Sequence, residues 1–184
     1  LDNAPADAVA LEALMGEEVA QFIASVGKNR QLGKFARHTR PGENSLVGQY
    51  IHANNKIGVL VFLTCGKAES VDKPEVLELA KNLAMQVAAA SPMALDVESL
   101  DQAAVARERE VYRQKALEEG KPANIVDKIA DGAVKKFQKE VCLMEQPYIR
   151  DDKKSIGDIV RETGKAVGDE ITVTGFERIQ LAAE

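Results

Sequence analysis

The feature that most constrains this chain is its longest nearly unbroken apolar run, the seven residues Ile57 to Leu63. A membrane-spanning helix needs roughly 20 such residues, so no segment here reads as one. A short run with β-branched Ile57, Val59 and Val61, continued by Thr64, instead predicts a strand buried on both faces. Just before it, Ser45 to Ile51 alternates, with Leu46, Gly48 and Tyr50 facing one way and Val47, Gln49 and Ile51 the other. Asn54-Asn55 between the two segments supplies turn residues that tolerate positive φ, so 45–64 is predicted to be a β-hairpin.

Around this hairpin the pattern is helical. Val9 to Ala24 carries apolar residues at helical spacing, with Gly16 a point of interruption and Gly27 the end, and Leu32 to Arg37 alternates loosely. Pro74 opens a helix over 74–90 whose broad apolar face should lie on the sheet, and Ser91-Pro92 stops it. Ser99-x-x-Gln102 has capping-box spacing ahead of a charged helix from Asp101 to Glu119, in which Val105, Tyr112 and Ala116 line up. Gly120-Lys121-Pro122 breaks it. A second helix, about 123–140, carries Ile125, Ile129, Ala133, Phe137 and Val141 as a narrow stripe. Nine bases balance nine acids over 101–145, so the pair has solvated outer faces and little core of its own, and is expected to project as an antiparallel hairpin. Beyond it come an exit loop at Gln146-Pro147-Tyr148, a charge run Asp151 to Lys154, a helix from Ser155 to about Ala166 and a strand from Ile171 to Leu181.

Val26 to Arg37 aligns at a constant offset with Val167 to Arg178, matching in Val, Gly, Phe and Arg. A helix before each glycine and a strand after it read as one unit used twice. The fold class that follows is α+β: two related helix-plus-antiparallel-sheet subdomains with a projecting helical hairpin, a coiled coil, between them. The expected divisions are 1–98 for the first core subdomain, 99–145 for the arm and 146–184 for the second core segment.

Several kinds of chemistry find no residues. With 24 basic against 29 acidic side chains and eight aromatics outside any basic stripe, the chain lacks the charge and stacking platforms of a direct nucleic-acid binder. Cys65 and Cys142 have no CxxC spacing and read as buried free thiols, and with only His38 and His52 there is no ligand set for a metal. Gly27 to Gly33 fails the Walker spacing, no G-x-S-x-G elbow occurs, and no cofactor is expected. His52, beside Tyr50 at the hairpin turn, is the one residue to consider for acid-base work, and a satisfied surface histidine is the commoner role there. The chain is expected to act by binding, not as an enzyme. It begins at Leu1, without a signal-peptide pattern, and reads as a fragment or processed chain.

Several motifs carry a resemblance. The run Val47-Gly48-Gln49-Tyr50-Ile51-His52-Ala53-Asn54-Asn55-Lys56-Ile57-Gly58-Val59-Leu60-Val61 is followed by the helix Leu83-Ala84-Met85-Gln86-Val87-Ala88-Ala89-Ala90-Ser91-Pro92. Then come the turn Glu119-Gly120-Lys121-Pro122 and Phe137-x-x-Glu140-Val141-Cys142-Leu143 with Gln146-Pro147. In this order they resemble bacterial translation elongation factor Ts, from about Val19 to Leu181. The resemblance implies a guanine-nucleotide exchange factor for elongation factor Tu, with two core subdomains and a coiled-coil arm. It implies a cytoplasmic bacterial protein, or one of a plastid or mitochondrion; apart from the resemblance, the polar helical hairpin reads equally as a mere packing arm or as a partner or homodimer surface. Tyr50 and His52 at the hairpin, Met85, Gln86 and Ala89 on the core helix, and Val173, Phe176 and Arg178 on the last strand are the implied partner-facing residues. Met85 and Ala89 read equally as core side chains, Tyr50 has internal packing as its alternative, and core is the commoner role for Phe176. The chain departs from the family pattern in two places: the Thr-Asp-Phe motif of the family's N-terminal part is not among these residues, and Gln86 stands where the family often has His. The alternative is an oligomerising or ribosome-associated module without exchange activity, and a small enzyme is a third reading.

Overall fold

The computed structural model describes residues 8–27, 37–39, 41–53 and 55–181, with side chains of the first helix described from Ala13 onward. Two compact units emerge, 1–41 with 181–184, and 42–180. In the first, helix α1 (Ala8–Val26) runs unbroken through Gly16 and ends where Gly27 takes φ 65° and donates its N–H to the Ile23 carbonyl. A single interior glycine costs a helix only about 1 kcal/mol, too little to interrupt 19 residues. The alternation expected from Leu32 lies outside the described residues, as does Asn54.

The second unit is α+β. Strands β1 (Ser45–Ile51) and β2 (Ile57–Cys65) pair antiparallel from Ser45↔Thr64 to Ile51↔Gly58, and Asn55 occupies the turn at φ 54°. Helix α2 (Pro74–Ala90) crosses this hairpin and ends at Ser91, which is left-handed at φ 47°. Its Val76, Leu79, Ala80, Leu83, Ala84 and Val87 are buried with Val59, Val61, Leu63 and Cys65. The approach is close enough that a Cβ on Gly48 would stand 2.7 Å from the Ala80 carbonyl carbon. The opposite face of β2, Leu60, Phe62 and Thr64, is half-buried rather than sealed, because α2 covers one face of the strand.

Strand β5 (Ile171–Gln180) pairs antiparallel with the other edge of β2, giving the order β1-β2-β5. Segments on both sides of the helical pair therefore build one sheet. Helix α5 (Ile156–Val167) feeds into β5. Ser155 and Asp158 form a reciprocal capping box at its start, and Gly168 at φ 68° ends it, the same left-handed device that ends α1 at Gly27. Those two glycines are the matched pair of the internal repeat, and the strand expected after the first of them falls outside the described residues. Ile156 and Val160 join Leu143 and Tyr148 in the core.

Helices α3 (Gln102–Glu118) and α4 (Ala123–Val141) pack on one another across the four-residue turn Glu119 to Pro122, where Gly120 has φ 74°. Their ion pairs fix an antiparallel register: Arg113 with Asp127, and Arg109 with Asp127 and Asp131. The start of α3 differs from expectation. Asp101, not Ser99, accepts from the Ala103 N–H as N-cap, while Ser99 and Asp96 close a separate turn on each other. The stripe on α4 holds at Ala133, Phe137 and Val141, which are half-buried, but is shifted by one residue in the first half of the helix. Val126 and Ala130 are buried against α3, whereas Ile125 and Ile129 each remain 37% exposed. Apolar side chains at adjacent positions give the same four-residue spacing, and the row with the smaller side chains, Val126 and Ala130, turns toward the partner helix.

The charge run Asp151 to Lys154 is not merely solvated. It forms β4 (Asp151–Ser155), which pairs with β3 (Pro147–Tyr148) as a small second hairpin. At the root of the helical pair, Ala94 and Cys142 bridge in parallel, and the Leu143 and Met144 N–H groups donate to the Ala94 and Leu95 carbonyls.

Candidate partner-binding surface

Strand register decides which of the expected site residues share a face. Tyr50 lies opposite Val59, which lies opposite Arg178; Gly48, Val61 and Phe176 form the adjacent row. Both rows face α2, so Tyr50 and Phe176 sit half-buried at the margin of the core, one on each outer strand. Val173 lies one row beyond Phe176, opposite Leu63, and is buried at 5% exposure. The bulge between Phe62 and Leu63 leaves Thr174 outside the pairing and lets both Val173 and Phe176 turn inward despite their odd spacing.

Arg178 reaches across the sheet to the end of α2. One terminal nitrogen donates to the Gln180 Oε1 at 2.9 Å and the other approaches the Ala88 carbonyl at 3.5 Å. The Ala88 carbonyl lies in the last turn of α2, where unsatisfied carbonyls and the helix dipole favour a cation. The Nε–H of Arg178 is buried without a hydrogen-bond partner among the described residues. Tyr50 holds its hydroxyl 3.2 Å from the His52 Nδ1, with the rings edge to face at 6.1 Å, and His52 itself is exposed after β1. Ala89 is exposed and Met85 half-buried on α2. Tyr50, Phe176 and Arg178 thus share the sheet face that packs on α2, with His52 attached through Tyr50, whereas the exposed Ala89 lies on the far side of α2 from Ala80 and the sheet.

Gln86 is placed differently. It is 1% exposed, and every hydrogen-bonding group of its carboxamide is used inside the chain. Its Oε1 accepts from the Ile149 N–H at 2.9 Å, and its Nε2 donates to the Gln146 Oε1 and the Pro147 carbonyl, each at 3.2 Å. A cavity of about 350 Å³ opens beside it, walled by Ala90, Lys139, Glu140, Tyr148, Ile149 and Asp152 among others. Gln146 and Ile149 were not visible as site residues in the sequence: a Gln-Pro step reads as a loop, and nothing in its composition says that the glutamine points inward.

Burial pushes the thiols of Cys65 and Cys142 upward from the usual range, with nearby Asp169 acting in the same direction on Cys65 and Glu145 on Cys142. Both cysteines are free. Among the described residues no three His, Cys, Asp or Glu side chains are grouped to hold a metal ion, and no helix is long and apolar enough to cross a membrane.

Residues 2–183 match the family described as Elongation factor TS. Over all 184 residues the chain is 90% identical to elongation factor Ts of Desulfovibrio desulfuricans, of which it covers 64%. It is 53% identical over 166 residues to elongation factor Ts of Nitratidesulfovibrio vulgaris strain DP4, covering 90% of this chain and 58% of the relative. To the same-named protein of Clostridium perfringens it is 41% identical over 164 residues, covering 89% of this chain and 52% of the relative. The chain spans less than two thirds of the length of these relatives.

Proposed function

Because the chain belongs to the elongation factor Ts family, we propose that it is the part of a guanine-nucleotide exchange factor that grips elongation factor Tu in the bacterial cytoplasm. The observation that carries this reading is the family match over residues 2–183 together with a relative of that name at 90% identity. Exchange needs no acid or base. By linkage, a protein that binds the empty form of its partner more tightly than the nucleotide-bound form weakens nucleotide binding by the same factor.

The surface around the end of α2 fits such a grip. Tyr50, His52, Met85, Ala89 and Arg178 supply the contacts in this reading, with Phe176 and Val173 supporting them from the core side. Arg178 is half-buried, with one terminal nitrogen on the neighbouring Gln180, and in this reading it offers its guanidinium from the edge of the sheet. Helices α3 and α4 are the family's coiled-coil arm in the same reading.

The test is the affinity of this chain for elongation factor Tu, measured once without nucleotide and once with excess GDP and magnesium. Tighter binding in the first case is expected. Equal affinity in both would refute exchange capacity in this chain and leave an anchor, and no binding in either would overturn the assignment of the partner.

A further inference from the structure

We propose that Gln86 is a positioning residue, not a partner contact: through Gln146 it sets the angle at which the α3–α4 arm leaves the core. This rests on the partner grip described above only for its consequence on affinity. The geometry of the arm root stands independently of it.

The argument begins at the end of α4, whose last carbonyls have no partner within the helix. Gln146 folds back and donates its Nε2 to the Glu140 carbonyl at 2.8 Å, capping that turn from outside. The side chain of Gln146 is itself held by Gln86 from α2 at 3.2 Å. Gln86 then ties the strand beyond Gln146, by donating to the Pro147 carbonyl and accepting from the Ile149 N–H. One carboxamide from α2 thereby joins the core helix, the exit of the arm and β3. The orientation of both amides is fixed by their partners. Turning Gln86 over would set its oxygen against the Pro147 carbonyl and its NH₂ against the Ile149 N–H. Both side chains are buried, Gln86 at 1% and Gln146 at 2% exposure, so the bonds are made away from competing water.

At the root of the arm its two ends are joined by backbone bonds, from Met93 and Ala94 to Val141 and from Leu143 and Met144 to Ala94 and Leu95. Those bonds hold the two ends of the arm together and act as an axis. The Gln86–Gln146–Glu140 relay lies off that axis and fixes rotation about it.

The test uses the full chain with spin labels at Glu78→Cys on α2 and Lys128→Cys on α4. Both positions are exposed, while the native Cys65 and Cys142 are buried at 1% and 0%. Double electron–electron resonance distances are compared for the parent, Gln86→Met, Gln146→Met and the double variant, methionine being close in volume to glutamine. Gln146→Met leaves the bonds of Gln86 to Pro147 and Ile149 in place, which preserves β3 if Gln86→Met proves too unstable. Each single variant is expected to broaden or shift the distance distribution, with the double no worse than the singles because both break one relay. Affinity for nucleotide-free elongation factor Tu is expected to fall about tenfold in both single variants, the scale of one buried hydrogen-bond link. An unchanged distance distribution in variants that melt with the parent would overturn the proposal. So would a loss of affinity in Gln86→Met with none in Gln146→Met, which is the mark of direct contact. If the parent does not bind elongation factor Tu at all, the partner reading fails while the distances still judge the relay.

Discussion

Replacing Gly48 with alanine tests how closely α2 sits on the sheet. The added methyl would stand 2.7 Å from the Ala80 carbonyl carbon and 2.9 Å from its Cβ. The first of these is helix backbone, which cannot move aside as a flexible side chain does, so α2 must lift or β1 must bow. Overpacking of this kind costs about 1–3 kcal/mol. Against it stands the lower unfolded-state entropy of alanine, about 0.4–1 kcal/mol. The net loss is on the order of 1–2 kcal/mol, equivalent to a fall of roughly 3–8 °C in melting temperature for a chain of this size. Urea unfolding followed by circular dichroism measures it, with an unchanged denaturant slope showing that the unfolded state is the same. Gly58→Ala, one strand over, is the control: an added Cβ there meets nothing within 4 Å, so its effect should be neutral or slightly stabilising. Equal stability of Gly48→Ala and the parent, or equal losses in both variants, would refute the close approach.

Two further predictions follow from corrected or confirmed details. Val126→Ala should destabilise the arm by roughly 2 kcal/mol, since it uncovers a side chain only 2% exposed, while Ile125→Ala should cost well under half as much; reversed losses in thermal melts would restore the original stripe. The capping hydrogen bonds from Ser155, backbone first, then its hydroxyl, then the Arg161 charge hold the Asp158 carboxyl below the usual carboxylate range. Its stabilisation is therefore present above the unfolded-state pKa and is lost as pH falls through the lowered folded value. Asp158→Asn should flatten the drop in melting temperature between pH 6 and pH 3, and an identical drop in both proteins would count against the cap.

The elements were legible where a local signal had no competitor. Pro74 and Ser91-Pro92 bracket α2 at its observed bounds, and the alternation of Ser45 to Ile51 against the apolar run specifies the β1–β2 register through one turn. Pairing of β5 with β2 was not legible, because strand neighbours distant in sequence leave no mark on either strand alone. The choice of Val126 over Ile125 depends on the facing helix for the same reason. At the site, Tyr50, Phe176 and Arg178 were identified through the family likeness, and register then explains why they share a face. Gln86 was named through the same likeness, as the residue standing where the family often has His. Its hydrogen-bond partners within the chain, Gln146, Pro147 and Ile149, lie about 60 positions away, and nothing local to α2 marks them.

The central strand β2 has one neighbour beside it in sequence and another that arrives much later, Thr174 bonding to Phe62 across 112 positions. During synthesis the β1–β2 hairpin and α2 can form while β5 has yet to be made, leaving one long edge of β2 unpaired. Closing the sheet then means bringing together the ends of a very long loop, a slow step whose entropic cost grows with the length of flexible chain between them. The α3–α4 arm lies within that loop. By folding on itself through local contacts, it removes a large part of the loop's freedom before closure, since its two ends meet at the Ala94–Cys142 bridge. A helical pair closed on itself in this way shortens the flexible chain through which the last strand must find the first pair.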